Sequence, residues 1–169
     1  MSTIRSLLIL SLALCLSACG FALRGSEHAL NKSFESMRLQ TNGGDEAFFS
    51  DVRQALKDSD IRLSEDSDNV LEIISTRLEK RTASYSSRAK SAEYELIKNI
   101  NFRFLRQGKE LIPPTQIQAR RSYLYRETAA VGKAEEEVLL RQEMDQDLAQ
   151  RILLALQRVA INKAEEAAK

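Results

Sequence analysis

The sequence contains no tryptophan, one histidine and two cysteines among 169 residues, and its charges nearly cancel to a net +1 at pH 7. Two cysteines cannot form a disulfide scaffold or a cysteine-rich metal site, and one histidine leaves little material for histidine-based catalysis. A nearly neutral chain is not expected to bind nucleic acid nonspecifically. The composition therefore favours a protein that is not an enzyme and that needs no cofactor, metal ion or nucleic-acid partner.

The N-terminus has the features of an exported, lipid-modified protein. A stretch of 12 residues that are all apolar or serine, Leu7–Ala18, is too short to span a bilayer but has the length of the apolar region of a secretory signal. It leads into Leu16–Cys19 (LSAC), which resembles the lipobox of bacterial lipoproteins. We expect Cys19 to be acylated after removal of the signal peptide, residues 1–18. An ordinary secretory signal with a chance cysteine is the alternative, but the small-residue cleavage site of such signals is absent.

The residue after the lipidated position indicates the destination. Gly20 stands where lipoproteins retained in the inner membrane have aspartate. We therefore expect an outer-membrane protein, held on the periplasmic side by the acyl chains of Cys19. Residues 19–32 are predicted to form the lipidated N-terminus and a tether between the lipid and the domain.

A single α+β domain is predicted over residues 33–162, followed by a frayed tail at 163–169. Its first half contains a short strand that includes Phe34, Met37 and Leu39, and then an amphipathic helix over 45–58 with acidic residues at its start. Residues 61–63 follow as a short extended piece.

The second half is predicted to hold three strands and a long helix. Strands are expected over 70–81, 92–104 and 117–125, with chain breaks at Gln107–Lys109 and at Pro113–Pro114. In the middle strand apolar residues alternate with polar ones, with Lys98 as the only polar interruption of the apolar face. Apolar residues every three or four positions predict a helix over 133–161, with acidic residues in its first turn.

This order of elements predicts an α+β fold: a two-layer sandwich of a mostly antiparallel four-stranded sheet with two helices on one face, in the order β-α-β-β-β-α. The other face of the sheet is expected to be polar and open to solvent.

Positive charge is concentrated in the predicted sheet. Residues 71–127 carry 12 basic and 6 acidic side chains, whereas the segments on either side are net acidic. One interpretation is a sheet edge that Lys and Arg protect from aggregation. The other is an anion site, for which a phosphorylated lipid is the expected ligand in this compartment. The candidate binding residues are Arg88, Lys90, Lys133, Arg120 and Arg121.

Motifs of catalysis are absent from the sequence. It has no nucleophile elbow, no zinc-protease motif and no glycine-rich phosphate loop. Glu93 and Glu95 are spaced as a carboxylate pair that a hydrolase could use. The same spacing is also that of the polar side of an alternating strand, which is the simpler interpretation.

Three segments resemble the LptE family of lipopolysaccharide-assembly lipoproteins. The expected mature start, Cys19–Arg24 (CGFALR), is similar to the family's Cys-Gly-aromatic-x-Leu-Arg opening, and Ala92–Leu96 (AEYEL) is similar to its Ala-Glu-Tyr strand start. Arg121–Tyr123, followed by a turn and a long helix, also matches. The Ser86–Ser87 pair before Arg88 departs from the pattern, so the loop alignment can shift by one residue.

The resemblance implies a partner and a ligand. The partner would be a large outer-membrane β-barrel of the LptD type, which the lipoprotein enters as a plug in a 1:1 complex and whose assembly it assists. The ligand would be lipopolysaccharide, delivered to the outer leaflet. Two alternatives remain open: an accessory lipoprotein of barrel assembly or phospholipid transport, and a lipid-anchored envelope hydrolase that uses Glu93 and Glu95.

Overall fold

A computed structural model describes residues 33–85, 91–126 and 130–167. The elements are β1 (Ser36–Thr41), α1 (Glu46–Asp58), β2 (Arg62–Leu63), β3 (Asn69–Tyr85), β4 (Ser91–Arg106), β5 (Lys109–Arg126) and α2 (Ala130–Ala167). Both helices pack on one sheet, which confirms the α+β class. The helix of 133–161 and the strands over 70–81, 92–104 and 117–125 are present, and each extends beyond its predicted limits.

The sheet has five strands, in the order β2-β1-β3-β4-β5, instead of the four predicted. The sheet is mixed: the two short pairs that β1 makes with β2 and β3 are parallel, which the sequence did not predict. Helix α1 carries the chain back over the sheet after β1, so the next strands run in the same direction as β1. The short piece at 61–63 thereby becomes the edge strand β2. The remaining pairs, β3 with β4 and β4 with β5, are antiparallel.

The predicted chain break at Pro113–Pro114 is also wrong, since both prolines lie within β5. Proline lacks the N–H that a central strand would need, but β5 is an edge strand, where this N–H is not required. The pairing of β4 with β5 shifts register between Phe102 and Phe104, opposite the two prolines, and this irregularity accommodates them.

Helix α2 begins at Ala130, before Gly132, so Glu135–Glu137 follow the first turn instead of lying in it. The helix also continues past the predicted end at 161. The prediction that residues 163–169 fray concerns motion and stays a prediction.

One hydrophobic core fills the space between the helices and the sheet. Phe48, Val52 and Leu56 of α1 and Met144, Leu148, Ile152 and Leu156 of α2 are fully or nearly fully buried in one cluster with the strand residues. From β4 the even-numbered residues join it, as the alternation predicts: Leu96, Ile100, Phe102 and Phe104. In the part of the chain that the structure describes, no helix has the length and apolarity needed to cross a membrane.

The sheet has two distinct ends. At one end, Tyr85 of β3 is paired with Ala92, and Ser91 with Arg126, and α2 starts at Ala130. We call this the tip end. At the other end β4 turns into β5 at Gln107–Gly108, and the chain enters the sheet beside Phe34, whose ring lies 5.1 Å from that of Phe104. We call this the turn end. The 16 residues of β4 separate the two ends by about 50 Å.

Candidate functional site: the tip end and the open face of the sheet

The tip end brings together the chain segments that carry three of the predicted site residues. Arg88 and Lys90 lie outside the described residues, between Tyr85 and Ser91, whose strands end there. Lys133 belongs to the first turns of α2, which starts at the same end, and its side chain is not described. The expectation that the β3–β4 connection and the start of α2 share one end of the fold is confirmed.

Arg120 and Arg121 do not join a common site. As neighbours in a strand they point to opposite faces of the sheet. On the face without helices, Arg120 forms an ion pair with Glu95, with a nitrogen–oxygen distance of 3.0 Å. Arg121 lies on the helix side, within 3.8 Å of Glu143 and 3.7 Å of Asp147 in α2.

The face of the sheet that no helix covers, which we call the open face, is a ladder of polar pairs. Glu95 binds both Arg81, at 2.6 Å, and Arg120, and the hydrogen bond from Arg81 is the main cause that lowers the pKa of Glu95. Further along, Asn99 accepts hydrogen bonds from Gln116 and Gln118 at 3.0 and 2.8 Å. This arrangement confirms the predicted polar face.

The apolar side chain of Ile97 departs from this pattern. Ile97 lies on the open face between its strand partners Glu79 and Arg120, yet only 5% of it is exposed.

A second polar cluster, on the helix side, fastens the start of α2 to the sheet. Glu137 of α2 accepts hydrogen bonds from Lys80 at 2.6 Å, from the hydroxyl of Tyr123 and from Arg141. The Lys80 ammonium also lies 4.5 Å from the ring centre of Tyr94. Burial by itself would raise the pKa of Glu137, but these hydrogen bonds outweigh burial and lower the pKa from 4.5 to about 2.

This cluster attaches the first part of α2 to β3 and β5, one turn after position 133. The sequence alone did not reveal the cluster. A signal for it was that Tyr94 and Tyr123 both stand at core-facing positions of their predicted strands.

We expect Glu137→Gln to lower the free energy of unfolding by about 2 kcal/mol at pH 7, since charge-assisted hydrogen bonds are lost. A carboxyl whose pKa is lower in the folded state stabilises the fold above its unfolded pKa, and this stabilisation disappears as the pH falls through the folded value. The difference between parent and variant should therefore shrink between pH 4.5 and about 2. Urea unfolding at several pH values measures it, with the exposed Glu135→Gln as matched control. A difference that stays constant over this range would contradict the assignment.

The third polar cluster is buried in the core. Lys98, only 2% exposed, forms ion pairs with Asp45, at 2.6 Å, and with Asp145. Asp45 also caps the N-terminus of α1 by accepting a hydrogen bond from the Phe48 amide. Burial raises the pKa of Asp145, whereas for Asp45 the hydrogen bonds from Lys98 and Phe48 outweigh burial and lower the pKa. Lys98 thus joins α1, β4 and α2.

The comparison with known protein families identifies the family to which the chain belongs. The model of the family described as "LptE: Lipopolysaccharide-assembly" matches residues 34–156, which include most of the described domain. The chain belongs to the LptE family. This family functions in the LptD/LptE outer-membrane lipopolysaccharide translocon, and it is not catalytic.

Relatives in the LptE family match over nearly the whole chain. The chain is 27% identical to "LPS-assembly lipoprotein LptE" of Pectobacterium atrosepticum, a match that covers 94% of this chain and 87% of the relative. The protein of the same name from Photorhabdus laumondii is 29% identical, with the same coverage.

Solved structures support the assignment to the LptE family. The crystal structure of the rare lipoprotein B from Shewanella oneidensis is 30% identical, has a TM-score of 0.68, and covers 76% of this chain and 98% of that one. The solution structure of an uncharacterized lipoprotein B from Nitrosomonas europaea is 25% identical, with a TM-score of 0.67 and coverages of 86% and 93%.

Membership of the LptE family agrees with the state of the two carboxylates considered for hydrolysis. A general acid in a glycosidase needs a raised pKa. Glu95 has a lowered pKa and is held between two arginines, and Glu93 accepts a hydrogen bond from Ser84 at 3.1 Å. Glu95 is therefore not suited to the role of general acid. The described residues contain no group of three or more metal-ligating side chains.

Proposed function

We propose that this protein is anchored through Cys19 in the outer membrane, enters a LptD-type β-barrel as a 1:1 plug, and binds lipopolysaccharide at its tip end for delivery to the outer leaflet. Family membership supports the general role, and the relatives are named lipoproteins. The plug arrangement, the anchor at Cys19 and the binding residues go beyond this general role, and the following observations support them.

The open face is the observation that carries the plug arrangement. The interior of an outer-membrane barrel is polar, and a surface placed inside it must offer polar partners. The face formed around Glu95, Asn99 and Arg103 offers carboxylates, amides and guanidinium groups along its length, and it carries no helix. An apolar open face would have favoured a lipid surface or another sheet instead.

The two ends of the sheet are consistent with this placement. The described part of the chain enters the domain at the turn end, beside Phe34, so the tip end is the end of the sheet farther from this entry point. The separation of about 50 Å exceeds the roughly 30 Å hydrocarbon core of a bilayer. A plug anchored at the inner leaflet could therefore present its tip end deep inside the barrel.

Lipopolysaccharide carries phosphates, and the chain segments that adjoin the tip end contain cationic residues of the type that binds them. Arg88 and Lys90 belong to the β3–β4 connection, and Lys133 lies near the N-terminus of α2, where free N–H groups attract anions. Arg120 and Arg121 already have carboxylate partners on opposite faces and are not part of the proposed site.

We expect the triple change of Arg88, Lys90 and Lys133 to Glu to weaken lipopolysaccharide binding by roughly a hundredfold, with about 1 kcal/mol lost at each of three phosphate contacts. Recovery of the barrel with the tagged lipoprotein should persist. Binding is measured at two salt concentrations, because the lost contacts should also reduce the salt dependence.

The matched control changes three exposed cations near the turn end, Lys57, Arg62 and Lys109, to Glu, with the same total change in charge. Equal weakening by both triples would show a general charge effect and contradict a tip-end site. A parent protein recovered from outer membranes without any barrel would contradict the plug arrangement and favour an accessory role in phospholipid transport.

A further inference from the structure

Strand β5 forms a long edge of the sheet, and the direction of its free backbone groups can be assigned. In an antiparallel strand the N–H and C=O of one residue point to the same side, and successive residues alternate. The carbonyl of Gln118 accepts a hydrogen bond from Arg151 of α2 at 3.0 Å, and the carbonyl of Arg120 accepts one from Arg121, also at 3.0 Å. Even-numbered residues from Gln118 onward therefore direct their backbone groups away from β4.

Part of this edge is protected against pairing with another strand. Pro113 and Pro114 offer no N–H near its start. The carbonyls of Gln118 and Arg120 are occupied by the two arginine side chains. The Asp147 carboxylate accepts two hydrogen bonds of 2.9 Å from Arg151, and its oxygen lies 3.7 Å from a guanidinium nitrogen of Arg121. One carboxylate of α2 therefore orients both arginines.

The protection stops at Ser122. Over residues 33–85, 91–126 and 130–167, no backbone hydrogen bond outside the β4 ladder reaches Ser122 or Leu124. Leu124 is also 42% exposed on the open face, an unusual apolar site among polar neighbours. The open part of the edge thus combines unpaired backbone groups with one apolar side chain, next to the Arg120 and Arg121 guanidinium groups.

We propose that the edge from Ser122 to Tyr125 pairs with a short extended segment of the partner barrel, which adds a strand to the sheet beside the tip end. This proposal rests on the proposed function, because it names the part of this protein that the barrel contacts. Main-chain hydrogen bonds would provide affinity, as in other cases of strand addition. The segment carries an apolar side chain against Leu124 and an acidic one towards Arg120 or Arg121. A second copy of this chain is disfavoured as the occupant, since it would bring the same arginines together.

Proline at Ser122 tests the pairing, because it removes an outward N–H and leaves every bond to β4 intact. Recovery of the barrel with tagged Ser122→Pro protein should fall about fivefold, as expected for one lost hydrogen bond and a blocked approach. The matched control is Ser122→Ala, which loses the hydroxyl but keeps the outward N–H; its recovery should be well above that of Ser122→Pro. Thermal unfolding of both variants is measured alongside, and Leu124→Pro serves as a second variant.

A photo-reactive residue at Leu124 completes the test, with a crosslink to the barrel expected. Parent protein that recovers no barrel would refute the proposed function itself. Barrel recovery that is normal for the parent and equally normal for Ser122→Pro would overturn strand pairing alone. A crosslink only to a second copy of the chain would also overturn it.

Discussion

Replacing Lys98 with methionine is expected to lower the free energy of unfolding by about 3–5 kcal/mol, because it leaves buried carboxylate without its counter-charge. Asp145 is only 5% exposed, and Lys98 is its ion-pair partner. Asp45 is less affected, since it is partly exposed and keeps its bond to the Phe48 amide. Urea unfolding of the two proteins at pH 7 measures the difference.

A double variant separates the lost charge from lost packing. Lys98→Met with Asp145→Leu removes both buried charges, and apolar replacement of a buried pair is often neutral or stabilising. We expect the double variant to recover most of the stability that Lys98→Met loses. A double variant as unstable as the sum of its two single variants would show that the ion pair is not the cause.

The loss in Lys98→Met should also depend on pH. Burial raises the pKa of Asp145, so its folded-state pKa lies above the unfolded value. Such a group favours the fold when it is protonated, and that contribution is lost as the pH rises through the folded pKa. Without Lys98, the charged form of Asp145 has lost its buried counter-charge, whereas the protonated form needs none. The variant should therefore be more destabilised at neutral pH, where Asp145 is charged, than in mild acid.

Cys19→Ser is expected to abolish incorporation of labelled fatty acid and to leave the precursor unprocessed, because serine offers no thiol for acylation. The matched control is Cys15→Ser, since Cys15 lies inside the expected signal peptide. It should be acylated and processed like the parent. Cell fractionation should then find the parent and the control in the outer membrane. Continued acylation of the Cys19→Ser protein would contradict the lipobox assignment.

Local sequence patterns predicted the parts of the fold that depend on neighbouring residues. Helix α1 was expected over 45–58 and occupies Glu46–Asp58, because its acidic cap and apolar spacing lie within one segment. The two faces of β4 follow from alternation in the same way. The polar open face and the common end shared by the β3–β4 connection and α2 follow from antiparallel geometry.

Long-range pairing was beyond the reach of these patterns. β1 has six residues, and nothing in their alternation specifies that β3, some thirty residues later, lies parallel to it. Lys98 was visible only as an interruption of an apolar face, because its partners lie 53 and 47 residues away in the sequence. Pro113–Pro114 predicted a break because prolines occur both in loops and in edge strands, and the sequence alone does not distinguish the two settings.

The parallel placement of β1 has a mechanical consequence. The chain that leads from Cys19 enters the domain directly at β1, which lies between β2 and β3 and not at an edge. A pull on that leading chain along the strand axis loads the hydrogen bonds on both sides of β1 at the same time, in shear. Bonds loaded together resist more force than bonds opened one after another, so tension transmitted from the proposed anchor at Cys19 would be carried by a strand that is held on both sides.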